Sequence, residues 1–215
     1  MYLNKFEEEM LKGMYGEGYA KALKVIVKVG EALGAEKLID ISHAHISGIS
    51  YFNIGNAGLE LLKEFSKIKV RAYTTCNPTA LDFNLWREIG FDENFYSKQM
   101  EVVKTLLNMG VNYSFTCTPY YLRQIKAGEH LAWGESNAVI YANSVLGART
   151  NRMGAPLTLF SAITGKAPYI GLHIDENRQP THLVEVKCKV TVSYTHLRAH
   201  ETSLQLVCRL LLEKK

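Results

Sequence analysis

Short apolar runs alternate with amphipathic segments along most of this chain, and this alternation constrains its fold more than any other feature. Apolar residues recur with helical spacing in four segments, at residues 17–34, 56–67, 92–109 and 129–147. Runs typical of strands separate them, at residues 37–41, 69–75 and 113–117. We therefore predict an α/β fold with a mostly parallel sheet and helices on both of its faces.

Three details refine this prediction. Asn56 is a plausible N-cap for the second helix. A short helix is expected around residues 83–90, just before the third. The segment at residues 129–147 is largely apolar on two sides, which predicts a long buried helix.

Composition and charge exclude several classes of protein. No run of about 18 apolar residues is present, so no membrane-spanning helix is predicted. The acidic start lacks the apolar region of a signal peptide, and we therefore expect a cytoplasmic protein. The formal charge is only +4, and no cluster of Lys and Arg interleaved with aromatics predicts a nucleic-acid partner. The cysteines, at positions 76, 117, 188 and 208, show no CxxC spacing, so we expect thiols or metal ligands rather than disulfides.

Polar sequences punctuated by Gly or Pro follow the three predicted strands. They read "SHAHISGISY", "TTCNP" and "TCTPYY". Open α/β sheets bind ligands beyond the carboxyl ends of their strands. The three segments together therefore predict a ligand site at one edge of the sheet.

The first of these loops has the features of an anion site. Gly48 allows a tight turn, so that the N–H groups of Gly48, Ile49 and Ser50 converge on an anion, although an ordinary Gly/Ser turn is the alternative. His43 and His45 alternate along an extended segment and are expected to point the same way. Such histidines are more often hydrogen-bonded near a core than bound to a metal.

The other two loops offer an amide and a thiol. Pro78 drives the preceding residue out of the helical region, so that Asn77 presents its amide at the strand end, with a plain turn as the alternative. Cys117 lies between two threonines, either as a thiolate at the sheet edge or as a buried structural cysteine. Further along the chain lie Arg149, Asn151 and Arg152. They predict either a clamp for a carboxylate or phosphate group or a solvated basic turn. The residues predict a site for a small anionic substrate.

Several motifs together resemble the aconitase X family, and the similarity runs from near the start of the chain to about Pro180. They are "HISGISY", "TTCNP", "TCTPY", "GEHLAWGESNAVIYANSVLGARTNR" and "GLHIDENR". The resemblance implies an aconitase-like fold and a dehydratase with an iron–sulfur cluster, taken as 4Fe–4S, whose first cysteine ligand is Cys117. It implies a substrate site lined by Gly48, Ile49, Ser50, Asn77 and Pro78, with Glu129 and Ser136 as further candidates. It also implies a partner, a swivelling small subunit or domain that supplies the catalytic base.

The family contains two main kinds of dehydratase. One acts on (R)-5-phosphomevalonate and forms an anhydromevalonate phosphate for isoprenoid synthesis, and the other acts on cis-3-hydroxy-L-proline. "SGIS" followed by "CNP" favours the first, because backbone donors in these loops suit a phosphate. A hypothesis of another class is a non-catalytic remnant or binding module, because only Cys188 and Cys208 follow Cys117 and neither lies in a segment resembling the cluster motifs.

The end of the chain resembles translated DNA rather than a protein segment. The codons of a transposase end and adapter used in sequencing libraries read VSYTHLRAHET in one frame, which matches residues 192–202. The distal part of the same adapter reads LVCRLLLEK and matches the chain from residue 206. Read as protein, this tail would be a basic amphipathic helix. We interpret residues 1–190 as part of an aconitase X catalytic domain and residues 191–215 as a non-native tail, and expect this truncated chain to be inactive alone.

Overall fold

The computed structural model describes residues 1–179, so the predicted tail, Cys188 and Cys208 lie outside the described residues. The helices in this part are α1 (Lys5–Leu11), α2 (Glu17–Ala32), α3 (Tyr51–Glu64), α4 (Glu93–Asn108), α5 (Ser136–Ser144) and α6 (Ala155–Thr164). The strands are β1 (Leu38–Asp40), β2 (His43–Ile46), β3 (Tyr73–Cys76), β4 (Leu131–Trp133) and β5 (Lys166–Pro168). None of the helices within residues 1–179 is long and apolar enough to cross a membrane.

A three-stranded parallel sheet forms the centre, in the order β3–β2–β4. In its register His45 lies opposite Thr75 on one side and Trp133 on the other. A separate antiparallel pair joins β1 to β5, with Ile39 opposite Ala167. The predicted mostly parallel α/β architecture is confirmed.

Helices cover both faces of the parallel sheet, as predicted. Successive side chains of a strand point to opposite faces, and Ala132 of β4 packs with Ala162 of α6 on one of them. Its neighbours Leu131 and Trp133 face the other way and pack against α5. On the α6 side, Ile46 joins a larger apolar core contributed by α2, α3, α4 and α6.

The most strongly periodic segments fold as predicted. The helix predicted at residues 17–34 is α2, and the one at residues 92–109 is α4, whose cap Asp92 accepts the Phe95 N–H at 2.8 Å. The strand predicted at residues 37–41 is β1, although it pairs with β5 outside the parallel sheet. The strand that enters that sheet is β2, inside the segment predicted as a loop.

The prediction of one long helix over residues 129–147 was wrong in its first part. Leu131, Ala132 and Trp133 form β4 and are fully buried, and a helix begins only at Ser136. Pairing with β2 buries both faces of this short run, and that burial outweighs the weak helical preference of the sequence.

Three further expectations were also wrong. Residues 113–117 do not form a strand, because Phe115 has a φ of 40° and breaks the regular ladder beside β3. Residues 83–90 form turns instead of a helix. Asn56 is not an N-cap, because its Oδ1 accepts the Tyr51 hydroxyl at 2.9 Å, although α3 is interrupted at Gly55 and its second helical stretch does begin at residue 56.

A buried ion pair ties the first helix to the β1–β5 pair. The Lys166 Nζ lies 2.9 Å from the Glu7 carboxylate and 2.8 Å from that of Asp40. Lys166 and Glu7 are 5% and 2% exposed. Burial lowers the pKa of Lys166, but the hydrogen bonds to Asp40 and Glu7 outweigh it and raise the pKa above its ordinary value.

Substitution of Lys166 is expected to destabilise the domain strongly. Lys166→Met leaves the Glu7 carboxylate buried without a counter-charge, which costs about 3–5 kcal/mol. Adding Glu7→Gln to this variant should restore most of the lost stability, because it removes the unpaired buried charge. The measurement is urea unfolding of the complete protein, with the exposed Lys21→Met as the matched control. A Lys166→Met variant as stable as that control would contradict the assignment.

Candidate active site

The carboxyl ends of the three parallel strands meet at one edge of the sheet. The segments that follow β2, β3 and β4 begin at Ser47, Asn77 and Gly134. Two hydrogen bonds hold the outer segments to the central strand, from the Asn77 N–H to the Ile46 carbonyl and from the Gly134 N–H to the His45 carbonyl, both at 2.9 Å. These loops form the part of the fold where an open α/β sheet binds ligands.

Gly134 is required where β4 leaves the sheet. A Cβ at this position would lie 2.8 Å from the Ser47 Oγ and 3.0 Å from the Met153 carbonyl oxygen. Both contacts are shorter than ordinary van der Waals distances, so a larger residue would push the loops after β2 and β4 apart.

The loop after β2 forms the predicted turn. Gly48 has a φ of 73°, which glycine adopts without strain. The N–H groups of Gly48, Ile49 and Ser50 donate to no acceptor within residues 1–179, and Ser50 caps α3 without a hydrogen bond from its side chain. Three successive unused donors at a turn are an arrangement that suits an anion.

A pocket opens beside this loop and brings four predicted residues together. It is a narrow cleft that is open to solvent, with a cavity volume of about 10 Å³, which is room for about one water molecule. Its polar lining includes Ser50, Asn77, Thr79 and Gln99, and its remaining lining includes Ile49, Cys76, Pro78, Val102, Val103, Leu106 and Phe115. No Lys, Arg, Asp or Glu is among these residues, so hydrogen-bond donors and shape, not a paired charge, would determine what binds.

A carboxylate stands at the end of β4, close to Asn77. Glu135 is the N-cap of α5, and the Asn77 Nδ2 lies 3.4 Å from its Oε2. Ser136, a predicted site residue, is the first residue of α5 and thus lies at the same edge of the sheet, although it does not line the pocket.

Cys117 is exposed, on a loop that is fixed at several points to this edge of the sheet. The Thr116 N–H donates to the Cys76 carbonyl at 3.1 Å, at the end of β3. The Asn137 Nδ2 donates to the Cys117 carbonyl at 2.9 Å, from the first turn of α5. Cys117 is therefore an exposed residue at the carboxyl edge, and the alternative of a buried structural cysteine is wrong for it.

The described residues fit the expected iron–sulfur cluster only in part. A 4Fe–4S cluster is ordinarily held by several cysteine thiolates. Cys117 is accessible and well placed to be one of them, but residues 1–179 contain no group of three or more His, Cys, Asp or Glu arranged to hold a metal ion. No chemical step through a cluster can be derived from this part of the chain.

Glu129 lies apart from the pocket. It precedes β4, and its carboxylate accepts hydrogen bonds from the Ser42 hydroxyl at 2.5 Å and from the Arg123 guanidinium at 3.0 Å. Since Ser42 precedes β2, these residues lie at the amino edge of the sheet. Burial raises the pKa of Glu129, but the hydrogen bonds from Ser42, the Lys126 N–H and Arg123 outweigh it and lower the pKa overall. Its contacts are those of a structural carboxylate.

His43 and His45 point the same way, as expected, and are fully buried. The His43 Nε2 and the His45 Nδ1 each lie 2.8 Å from the Thr75 hydroxyl oxygen. Burial lowers the pKa of His43 to about 3, helped by His45 and Arg123, and lowers that of His45 to about 4. Both rings are neutral near pH 7 and hold β2 to β3.

The predicted anion clamp near residue 150 is not assembled. Arg149 is paired with Asp175, with its Nε 2.9 Å from the carboxylate. Asn151 is buried and bridges backbone groups of Ile170 and Leu172. Arg152 is exposed.

Two residues at this site, Gln99 and Glu135, were missed in the sequence. Gln99 occupies one position of the stripe that α4 buries, with Val102, Val103 and Leu106 at positions i+3, i+4 and i+7. A polar residue inside such a stripe is the signal that could have found it. The helix predicted at residues 129–147 includes Glu135. However, "LAW" followed by "GES" is an apolar run that ends in a Gly-containing polar segment, as at the predicted strand ends.

Comparisons with known proteins agree with this fold. The model of the aconitase X first domain matches residues 1–176. A crystal structure of aconitase X from Thermococcus kodakaraensis, in its holo-form, superposes with a TM-score of 0.76 at 48% identity, covering 83% of this chain and 45% of that one.

Curated relatives include two kinds of dehydratase. The phosphomevalonate dehydratase large subunit of Methanocaldococcus jannaschii is 49% identical over 189 residues, which are 86% of this chain and 47% of that protein. The corresponding subunit of Thermococcus kodakarensis is 48% identical over 193 residues, 88% of this chain and 48% of that protein. A cis-3-hydroxy-L-proline dehydratase of Pseudomonas aeruginosa is 39% identical over 188 residues, 86% of this chain and 32% of that protein. The chain thus spans about half the length of the large subunits that it matches.

The neutral buried histidines predict a loss of stability in acid. An unfolded histidine, with a pKa near 6.5, becomes protonated as the pH falls from 7 to 5, whereas the two folded rings stay neutral because their pKa values are about 3 and about 4. The free energy of unfolding therefore falls by about 2 kcal/mol for each ring over this pH range. His45→Asn, whose amide can replace the contact to Thr75, should remove one such contribution. Urea unfolding of the complete protein at both pH values measures it. An unchanged difference between the two pH values in this variant would contradict the assignment of a neutral His45.

Proposed function

The chain belongs to the aconitase X family, and on this premise we propose that it is part of the large subunit of a phosphomevalonate dehydratase. The complete protein would remove water from (R)-5-phosphomevalonate and form an anhydromevalonate phosphate for isoprenoid synthesis. The observation that carries this proposal is the set of unused N–H donors of residues 48–50 at the rim of a pocket, since a phosphate accepts several hydrogen bonds at once.

The residues of this chain would bind and orient the substrate. Gly48, Ile49 and Ser50 would hold the phosphate through their N–H groups, and Pro78 would keep the following loop rigid. Asn77, whose amide approaches Glu135, would orient the organic part of the substrate. The apolar wall of Val102, Leu106 and Phe115 would exclude water from that end of the pocket. Ser136 and Glu129, which lie outside the pocket, are weaker candidates for a role in binding.

An iron–sulfur cluster is proposed for the complete protein, with Cys117 as one of its ligands. The other ligands would come from beyond the described residues. When bound, the cluster would supply Lewis-acid chemistry for the loss of the hydroxyl. The exposure of Cys117 and the hydrogen bonds that fix its loop support this assignment.

A second polypeptide completes the proposed enzyme. The relatives from Methanocaldococcus jannaschii and Thermococcus kodakarensis are named as large subunits, and we infer that this protein also pairs with a small subunit. By analogy with aconitases, that subunit would be the swivelling part and would supply the catalytic base. For the same reason this chain alone would be inactive.

The tail is proposed to be foreign to the natural protein. The family match ends at residue 176, ahead of the segment at residues 191–215 that reads as adapter DNA. Re-sequencing the gene across the codon of Thr191 tests this directly. Codons that continue into a second half similar to the relatives would support the proposal, whereas the same tail in independently prepared DNA would refute it.

The substrate is tested by assay of the complete large subunit with its small subunit. We expect dehydration of (R)-5-phosphomevalonate and little turnover of cis-3-hydroxy-L-proline, whose lack of a phosphate leaves the donors at residues 48–50 unused. Turnover of hydroxyproline alone would favour the second kind of dehydratase. An intact complex that retains its cluster but turns over neither substrate would favour a non-catalytic binding module.

The cluster is tested by Cys117→Ala, read out as iron and acid-labile sulfide per protein and as activity. Loss of one thiolate is expected to lower cluster content severalfold and to abolish turnover. Cys76→Ser is the matched control for cluster content, because Cys76 is buried beside Ser114. Full cluster content and activity in Cys117→Ala would contradict the assignment of Cys117 as a cluster ligand.

A further inference from the structure

A buried amide in the wall of the pocket has half of its hydrogen-bonding capacity unused among the described residues. Gln99 lies on α4, is 0% exposed and lines the pocket together with Ser50. Its Oε1 accepts the Tyr51 N–H at 2.9 Å, and its Nε2 has no hydrogen-bond partner within residues 1–179. A buried donor without a partner destabilises the fold, which points to an acceptor that this part of the chain does not supply.

The orientation of this amide follows from its contact. A backbone N–H can only donate, so the atom of Gln99 that faces Tyr51 must be the oxygen. The nitrogen then takes the other position of the same planar group. Because Tyr51 directly follows Ile49 and Ser50, which line the pocket, the donor is held next to the loop that carries the unused N–H groups.

The surrounding groups define what this donor can bind. The N–H groups of residues 48–50 and the Gln99 Nε2 are all donors, and no acidic side chain lines the pocket. Ser50, Asn77 and Thr79 also line the pocket and can accept as well as donate, but a set of unpaired donors favours a ligand that is rich in acceptors, such as a phosphate. A water molecule could satisfy one of these donors, but only a group with several oxygens satisfies them together.

We propose that Gln99 is a positioning residue for the phosphate of the substrate. Its Nε2 donates to a phosphate oxygen, while its Oε1 holds the first residue of α3 and therefore the turn at Gly48 in the shape that binds the same phosphate. The proposal rests on the proposed function only in that the substrate carries a phosphate.

The variant Gln99→Glu tests the roles of the two ends of this side chain separately. The introduced carboxylate keeps an oxygen that accepts the Tyr51 N–H, and it replaces the buried Nε2 donor, which has no partner within residues 1–179, by a second oxygen. The matched control is Gln124→Glu, the same change at an exposed position. The complete protein is titrated with inorganic phosphate by calorimetry, and the thermal midpoint of each variant is measured without phosphate.

The wild-type protein and Gln124→Glu are expected to bind phosphate equally well, and Gln99→Glu about tenfold more weakly or worse. The difference should narrow as the pH falls, because the introduced carboxyl group can donate a hydrogen bond once it is protonated. The KM for the phosphorylated substrate should rise by a similar factor, with a smaller change in kcat.

Three results would overturn the proposal. They are no phosphate binding by the wild-type protein, equal binding by Gln99→Glu, or a difference that does not change with pH. A loss that comes with a much lower thermal midpoint would assign Gln99 a structural role instead. Failure of the proposed function is distinguishable, because it would leave phosphate binding dependent on Gln99 while (R)-5-phosphomevalonate is not dehydrated.

Discussion

The parallel register of β3, β2 and β4 is the constraint on which the rest of this structure depends. It places three strand ends at one edge, and the carbonyls of His45 and Ile46 then accept hydrogen bonds from the loops on either side. Within the sheet, Thr75 joins both buried histidines to the neighbouring strand. The loop geometry at the pocket is thus a consequence of strand pairing, and residues distant in sequence meet because their strands end together.

The fold class and part of the candidate pocket could be predicted from the sequence, because the signals are local. Gly48 needs a positive φ, and the apolar periodicity of α2 and α4 sets their buried faces. β4 could not be predicted, since a run of three residues has no period and becomes a strand only through its pairing with β2. The family resemblance made Glu129 a candidate for the substrate site, yet strand direction places it at the opposite edge, beside Ser42.

The pocket and the loop that carries Cys117 would have different roles in the proposed enzyme. The pocket offers neutral donors and an apolar wall, which would bind and shield the proposed anionic substrate but could not break a carbon–oxygen bond by themselves. Cys117 lies on a loop fixed to the same edge, where further ligands would complete a metal centre. The chain spans about half of its relatives' length, and in the proposed enzyme it would hold the binding part of the site, with the reacting groups coming from the rest of the protein and from its partner.

The central claim is that the loops after β2 and β3, with Gln99, hold the phosphate of the substrate. A crystal structure of the complete protein without its cluster, soaked with (R)-5-phosphomevalonate, tests this claim most directly. We predict phosphate oxygens within hydrogen-bond distance of the N–H groups of residues 48–50 and of the Gln99 Nε2. A phosphate bound at the opposite edge of the sheet, for example beside Arg123, with these donors left without a ligand, would contradict the account.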